Sequence, residues 1–269
     1  MAFSGGLSRF QRSERERQLE SGDWRIAYLS PERFVHWSDT GYLATLEGFG
    51  LAPDLYVLDE MHCLEEWRAF RSGYRRLTGP LRRRVLGGAG MLGLSASFSV
   101  EESCAWMSEL GEGRPRVRVG MGLGRDNLAL RVVPIETEEQ RWLLLISALR
   151  GLRAPVSALV YCWSREETDE VARWLRSTGI PAVAYHAGLP ADERRERSRA
   201  FRSGLLRVVC ATSAFGMGID YPHVDRVIHF SMPRNLESYW QEAGRAGRGG
   251  QHCEAISFWR RSEIVRARL

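Results

Sequence analysis

Val156-Ser-Ala-Leu-Val-Tyr-Cys162 runs without a charge, and the stretch behind it, Arg165–Ser177, sets Val171, Trp174 and Leu175 along one helical face. Ala182–Tyr185 is then short and apolar again. A buried strand, a one-sided helix and a second buried strand form the unit from which parallel sheets are built. The rotation continues beyond it. Pro190 opens a helix whose Arg194, Arg195, Arg197 and Arg199 lie mostly on a solvated face, and Arg207–Cys210, Arg226–Phe230 and Ala255–Phe258 read as strands. Such alternation predicts an α/β domain with a parallel sheet.

Upstream, the pattern is similar but less complete. Arg25–Leu29, Leu55–Leu58 and Met91–Leu94 read as strands, with a weaker one at Arg116–Val119. Gly111, Gly113, Gly120, Gly122 and Gly124 mark a flexible stretch or plain surface turns, ahead of the helix-like Glu136–Arg150. The domain boundary is expected at about 120–135, dividing 1–125 from 126–269.

Composition narrows the class. Hydrophobic residues make up 44% of the chain and charged residues 26%, as in ordinary globular proteins. No apolar run approaches the roughly 18 residues that span a bilayer. Arg9, Arg12, Arg15 and Arg17, mixed with Glu14 and Glu16, break any secretory leader, so a cytoplasmic protein without a membrane partner is expected. Cys63, Cys104, Cys162, Cys210 and Cys253 are far apart and form no CxxC pair, which argues against zinc and against a disulfide framework. The net charge of +5 suits a nucleic-acid partner and equally suits solubility. All 38 basic residues are arginine.

Three segments carry chemistry. In Leu55-Tyr-Val-Leu-Asp-Glu-Met-His62 an apolar strand delivers two carboxylates to a sheet's carboxyl edge, where α/β proteins bind ligands. There Asp59 can hold Mg²⁺ and Glu60 can orient or deprotonate a water; a helix start with favourable acidic charge is the plainer reading. In Gln241-Glu-Ala-Gly-Arg-Ala-Gly-Arg248 the spacing puts Arg245 and Arg248 on one helical face, able to stabilise a transferred phosphoryl group or simply to solvate a helix end. Ala211–Asp220 follows a strand with Gly216 and Gly218, which admit a phosphate or sugar, or merely pack a loop. Asp220 can accept from a ribose hydroxyl or from an arginine.

Taken in order, these blocks resemble the RecQ family of superfamily 2 helicases over nearly the whole chain. Tyr28-Leu-Ser-Pro-Glu-Arg33 is similar to the family's Y-x-x-P-E-R, Asp59-Glu-Met-His-Cys63 to its D-E-A-H-C box, and Ser95-Ala-Ser97 to its T-A-T. Tyr161-Cys162, Tyr185-His-Ala-Gly-Leu189, Ala214–Ile219, Pro233–Tyr239 and Gln241–Arg248 match further blocks. The resemblance implies two RecA-like parallel-sheet lobes, ATP and Mg²⁺ as cofactors, single-stranded or forked DNA as partner, and unwinding in the 3′-to-5′ direction. It further implies that Asp59 coordinates Mg²⁺, Glu60 acts on the attacking water and His62 couples nucleotide to DNA. Arg245 and Arg248 would reach the γ-phosphate with Gln241, Gly218 and Asp220 nearby, and Ser95 and Ser97 would link the lobes. Trp67, Phe70, Arg71, Arg165, His186 and Arg234 would contact the single strand.

The departures are specific. The family's phosphate-gripping loop, Gly-x-x-x-x-Gly-Lys-Ser/Thr, lies upstream of the Tyr28 segment, and this sequence has no lysine at any position. The adenine-reading glutamine is missing too. The first lobe is therefore expected to be incomplete, with unpaired strand edges, poor stability and no ATP turnover by this chain alone, unless another chain or segment supplies the strand and loop. Glu66-Trp-Arg-Ala-Phe-Arg71 replaces the family's Q-W-G-H-D-F-R, which puts DNA-to-ATP signalling in doubt, and Met61 replaces an alanine beside the carboxylates. A degenerate, non-catalytic module that binds DNA or a partner is the alternative.

Overall fold

A computed structural model describes residues 1–3, 7–61, 64, 72–95, 100–110, 124–150, 157–213, 215 and 221–263. The chain divides into two compact units, Met1–Met121 and Gly122–Leu269.

In the first unit, β1 (Ala2–Phe3) leads to α1 (Arg9–Glu20), β2 (Tyr28–Leu29), α2 (Pro31–Asp39) and α3 (Tyr42–Gly48). Then come β3 (Leu55–Leu58), α4 (Ser72–Leu86), β4 (Gly90–Gly93) and α5 (Val100–Leu110). Two helix starts are chemically determined. Ser8 and Gln11 exchange bonds in a capping box at α1, and at α2 Ser30 accepts from the Arg33 amide while Pro31 presets the first turn. Phe3, Leu19, Phe34, Trp37, Leu43, Leu77 and Leu81 form the core. The described strands make two separate parallel pairs, β1 with β2 and β3 with β4. Tyr56, Leu58 and Met91 pack on the core, whereas Leu55, Val57, Leu92 and Leu94 are 52, 50, 44 and 44% exposed. One face of the β3–β4 pair is thus apolar and open, although parallel sheets normally have both faces covered.

The second unit carries one six-stranded sheet. Its elements are β5 (Leu128–Pro134), α6 (Glu138–Arg150), β6 (Ser157–Tyr161), α7 (Arg165–Ser177), β7 (Ala182–Tyr185), α8 (Ala191–Arg202), β8 (Val208–Ala211), β9 (Val224–His229), α9 (Leu236–Ala243) and β10 (Cys253–Trp259). The order β5-β10-β9-β6-β8-β7 is parallel throughout. Period-two alternation sends Ala158 and Val160 of β6 into one apolar layer and Leu159 and Tyr161 into the other. Val208 and Cys210 of β8 separate from Val209 and Ala211 in the same way. Both faces are therefore buried, which is why these strands read as continuous apolar runs. The α/β class expected from the alternation is what the chain adopts.

Two local expectations need correction. No strand was read within the boundary expected at 120–135, yet β5 lies there as an edge strand beside β10. The arginines of the 241–248 block were expected on one helical face, but α9 ends at Ala243 and Gly244 caps it. Arg245 and Arg248 sit in the turns that follow, because glycines at 244 and 247 end the helix there. The weak strand at 116–119 lies outside the described residues. Cys104, Cys162, Cys210 and Cys253 are free thiols. Among the described residues no helix is long and apolar enough to cross a membrane.

Candidate functional site

In the first unit, Asp59 and Glu60 follow directly on β3, and both are exposed. Backbone pairing with the neighbouring strand continues past them. The Leu94 amide donates to Leu58 O at 2.8 Å and the Met61 amide to Leu94 O at 2.8 Å. Ser95, also exposed, follows β4 in register with β3, so the structure brings Asp59, Glu60 and Ser95 to one carboxyl edge. Glu60 has φ +50, the one positive value among described non-glycine residues, and its amide donates to Asp59 Oδ1 at 3.0 Å. A left-handed glutamate at a strand end is a backbone that only local support maintains. Met61 is 3% exposed and turns inward, its sulfur against Gly93, so it fills the core and leaves the carboxylates open. Among the described residues no three carboxylates, histidines or cysteines cluster as metal ligands. One or two carboxylates suffice for Mg²⁺ when nucleotide phosphates complete its shell, and the exposed Asp59 fits that pattern. His62, Trp67, Phe70, Arg71 and Ser97 lie outside the described residues.

In the second unit, the carboxyl ends of β9, β6, β8 and β7 stand side by side. Arg165 begins α7 after β6, His186 follows β7, and Arg234 follows β9. Arg165 and His186 come together around Gly188, where an added Cβ would lie 3.1 Å from His186 Nδ1 and 3.3 Å from the Arg165 guanidinium. His186 is 6% exposed, with Nε2 3.3 Å from Asp169 and a buried Nδ1 that makes no hydrogen bond. Arg165 and Arg234 are exposed.

The arginine block is held from an unexpected direction. The Arg125 guanidinium donates to Gly244 O at 3.1 Å, to Ala246 O at 2.8 Å and to Gly247 O at 2.8 Å. Asn127 Nδ2 donates to Gly247 O and to Gln251 O, both at 2.8 Å. Gly247 has φ +64, and a Cβ there would meet Cys253 Sγ and lie 2.6 Å from Asn127 Nδ2. Sequence reading missed Arg125 and Asn127. The one available clue was a polar Arg-x-Asn pattern immediately before an apolar run.

A buried polar pair supports the same block from behind. His229 is fully buried, with Nε2 3.1 Å from Glu242 Oε2 and Nδ1 3.1 Å from Ser257 Oγ. Its ring stacks on Tyr161 at 5.7 Å. Burial drives the Tyr161 phenol upward in pKa, opposed by the nearby charge of Arg245. Arg245 is 9% exposed and Arg248 is exposed, so the two arginines are presented differently. Gln241 is half-buried in the last turn of α9. Gly218 and Asp220 lie outside the described residues.

A parallel sheet buried on both faces, with an arginine block entering its last strand, makes the second unit a RecA-like lobe. Residues 143–250 match the helicase conserved C-terminal domain. The chain is 36% identical over 252 residues to ATP-dependent DNA helicase Q-like 5 of Arabidopsis thaliana, covering 92% of this chain and 27% of that protein. It is 32% identical over 245 residues to the ATP-dependent DNA helicase RecQ of Pasteurella multocida, covering 91% and 37%. Among solved structures, the Mycobacterium smegmatis helicase Lhr bound to ssDNA and AMP-PNP superposes with a TM-score of 0.72 at 23% identity, covering 96% of this chain and 34% of that one. That likeness speaks to fold alone. Over most of its length the chain is similar to a region of RecQ-family helicases of superfamily 2, and it spans roughly a quarter to two fifths of the two relatives described.

Proposed function

We propose that this chain is part of a RecQ-type motor that couples ATP hydrolysis to 3′-to-5′ unwinding of single-stranded or forked DNA, and that by itself it does not hydrolyse ATP. Residues 1–125 are read as a partial first lobe and 126–269 as the second. The observation that carries the proposal is an imbalance. Arg245 and Arg248 stand in a block whose carbonyls Arg125 and Asn127 hold, while the sequence contains no lysine for the opposing phosphate grip. In P-loop enzymes backbone amides and that lysine cradle the phosphates, so an arginine block without them makes only a weak polyphosphate site.

The roles follow from chemistry and family. Asp59 holds Mg²⁺, which neutralises phosphate charge when bound, and Glu60 orients or deprotonates the attacking water. Arg245 and Arg248 stabilise charge on the terminal phosphate, an effect worth about 10³–10⁵ in rate where complete sites have been dissected. Gln241, Gly218 and Asp220 line the nucleotide, and His62, Ser95 and Ser97 transmit its state. Trp67, Phe70, Arg71, Arg165, His186 and Arg234 serve the DNA strand. A second reading is favoured by the open β3–β4 face with Leu55 and Val57 half exposed: another segment supplies the missing strand and loop. ATPase assays with and without single-stranded DNA are the test. No turnover is expected; DNA-stimulated hydrolysis abolished by Glu60→Gln would overturn the inactivity.

A further inference from the structure

Trp163 stands two residues beyond β6, in the middle of the second unit's carboxyl edge, with β9 on one side and β8 on the other. Its indole is 36% exposed, although such a ring normally finds burial in a domain of this size. The Arg234 guanidinium lies over the ring, 5.4 Å from its centroid. This arrangement is fixed from below. The Trp163 amide donates to Glu167 Oε2 at 2.5 Å, and Ser231 Oγ donates to the same oxygen at 2.6 Å. Glu167 therefore ties the loop after β6 to the loop after β9, and Trp163 and Arg234 are held side by side by a carboxylate of α7.

The surroundings restrict what the pair can take. The cavity beside the ring, lined in part by Ser213, Ser231 and Ser238, has a volume of about 30 Å³. That holds a single water and excludes an inserted base. A planar group can only lie on the outside. Exposed Arg165 and Arg234 supply positive charge there for a phosphodiester backbone. A flat aromatic surface bordered by cations is the chemistry by which proteins take unpaired bases without reading their identity.

We propose that Trp163, braced by Arg234, is a stacking platform for one base of a single nucleic-acid strand crossing the second unit. The inference rests on the reading of this chain as part of a DNA motor, and adds Trp163, as a base contact, to the edge where Arg165, His186 and Arg234 were expected to touch the strand.

The test is fluorescence anisotropy of a labelled oligothymidylate at low salt with the full chain, comparing wild type, Trp163→Ala and Trp163→Phe. The alanine variant is expected to bind about tenfold more weakly, the usual order of one lost stack, while phenylalanine retains most of the affinity. An abasic phosphodiester of the same length should bind wild type and Trp163→Ala alike, because no base remains to stack. Oligothymidylate should also quench part of the tryptophan emission in wild type and less of it in Trp163→Phe, where eight of nine indoles remain. Equal oligothymidylate affinity for wild type and Trp163→Ala overturns the platform and leaves the DNA-motor reading standing. A Trp163→Ala defect that persists on the abasic strand also overturns it, since the loss would then be structural. Absence of any oligonucleotide binding by wild type overturns both.

Discussion

Removing Arg125 should loosen the arginine block without touching either arginine in it. The side chain bridges three carbonyls, those of Gly244, Ala246 and Gly247. In Arg125→Ala, Gly247 O keeps its bonds from Asn127 and the Gly250 amide, and Gly244 O keeps a weak contact from Arg248 Nε at 3.4 Å. Ala246 O loses the bond from Arg125, in a residue that is fully buried. Hydrogen bonds from a charged donor contribute about 1.5–3 kcal/mol, and the partial rescue of the other two carbonyls keeps the total near the upper end of that range, about 3 kcal/mol. For a unit of this size the melting transition should fall by about 6–12 °C. Calorimetry reads the shift, and hydrogen exchange locates it: peptides over 244–251 should exchange faster while those over β3 and β4 stay unchanged. Arg125→Lys should recover only part, since one ammonium cannot span carbonyls that a planar fork reaches together. A transition unmoved within a degree, with unchanged exchange at 244–251, would refute the clamp.

Further outcomes are expected. Gly247→Ala should destabilise the second unit more than Gly179→Ala, because both positions have positive φ but only at 247 would the new methyl meet Cys253 Sγ and Asn127; equal melting of the two variants would count against this. Glu242→Ala should cost more stability than Glu242→Gln, because only the amide still offers an oxygen to His229 Nε2, and thermal denaturation distinguishes them. Burial raises the Cys162, Cys210 and Tyr161 groups above their ordinary values, so the folded chain holds protons that the unfolded chain releases. Stability from these groups is therefore full below the ordinary thiol value of 9.0 and falls as pH rises past it, which urea titrations at alkaline pH would register. Limited proteolysis should cut the first unit before the second, since its described strands pair only two by two; equal resistance of both units would contradict that.

What could be read from sequence depended on how far apart the determining atoms lie along the chain. β7 was legible to the residue, and β6 and β8 to within one, because burial on both faces leaves uncharged runs between polar helices. β5 escaped notice because it is an edge strand: Leu130 and Val132 are 46 and 63% exposed, and its interruption by Arg131 blurs the pattern. The Arg245 and Arg248 pair was visible as a block, yet its geometry was misread, since helical spacing was extended through Gly244. The clamp was invisible for a simpler reason. Arg125 and Asn127 bond to residues 119 to 124 positions away, a separation at which periodicity carries no information.

The two units differ in what their strands have achieved, and that difference bears on function. In the second, every strand from β10 to β8 has two parallel neighbours, and apolar layers cover both faces. Its arginine block is held by bonds internal to the unit, so its geometry needs no nucleotide to form. In the first, β3 and β4 pair with each other alone among the described residues, and Leu55, Val57, Leu92 and Leu94 stay about half exposed to water. Asp59 and Glu60 are therefore mounted on a pair of strands with little to stiffen it. A carboxylate contributes to phosphoryl transfer only when held within a fraction of an ångström of its working place. On the proposed reading, the acids would have to be organised by whatever covers that face, whereas the backbone that carries the arginines is already held.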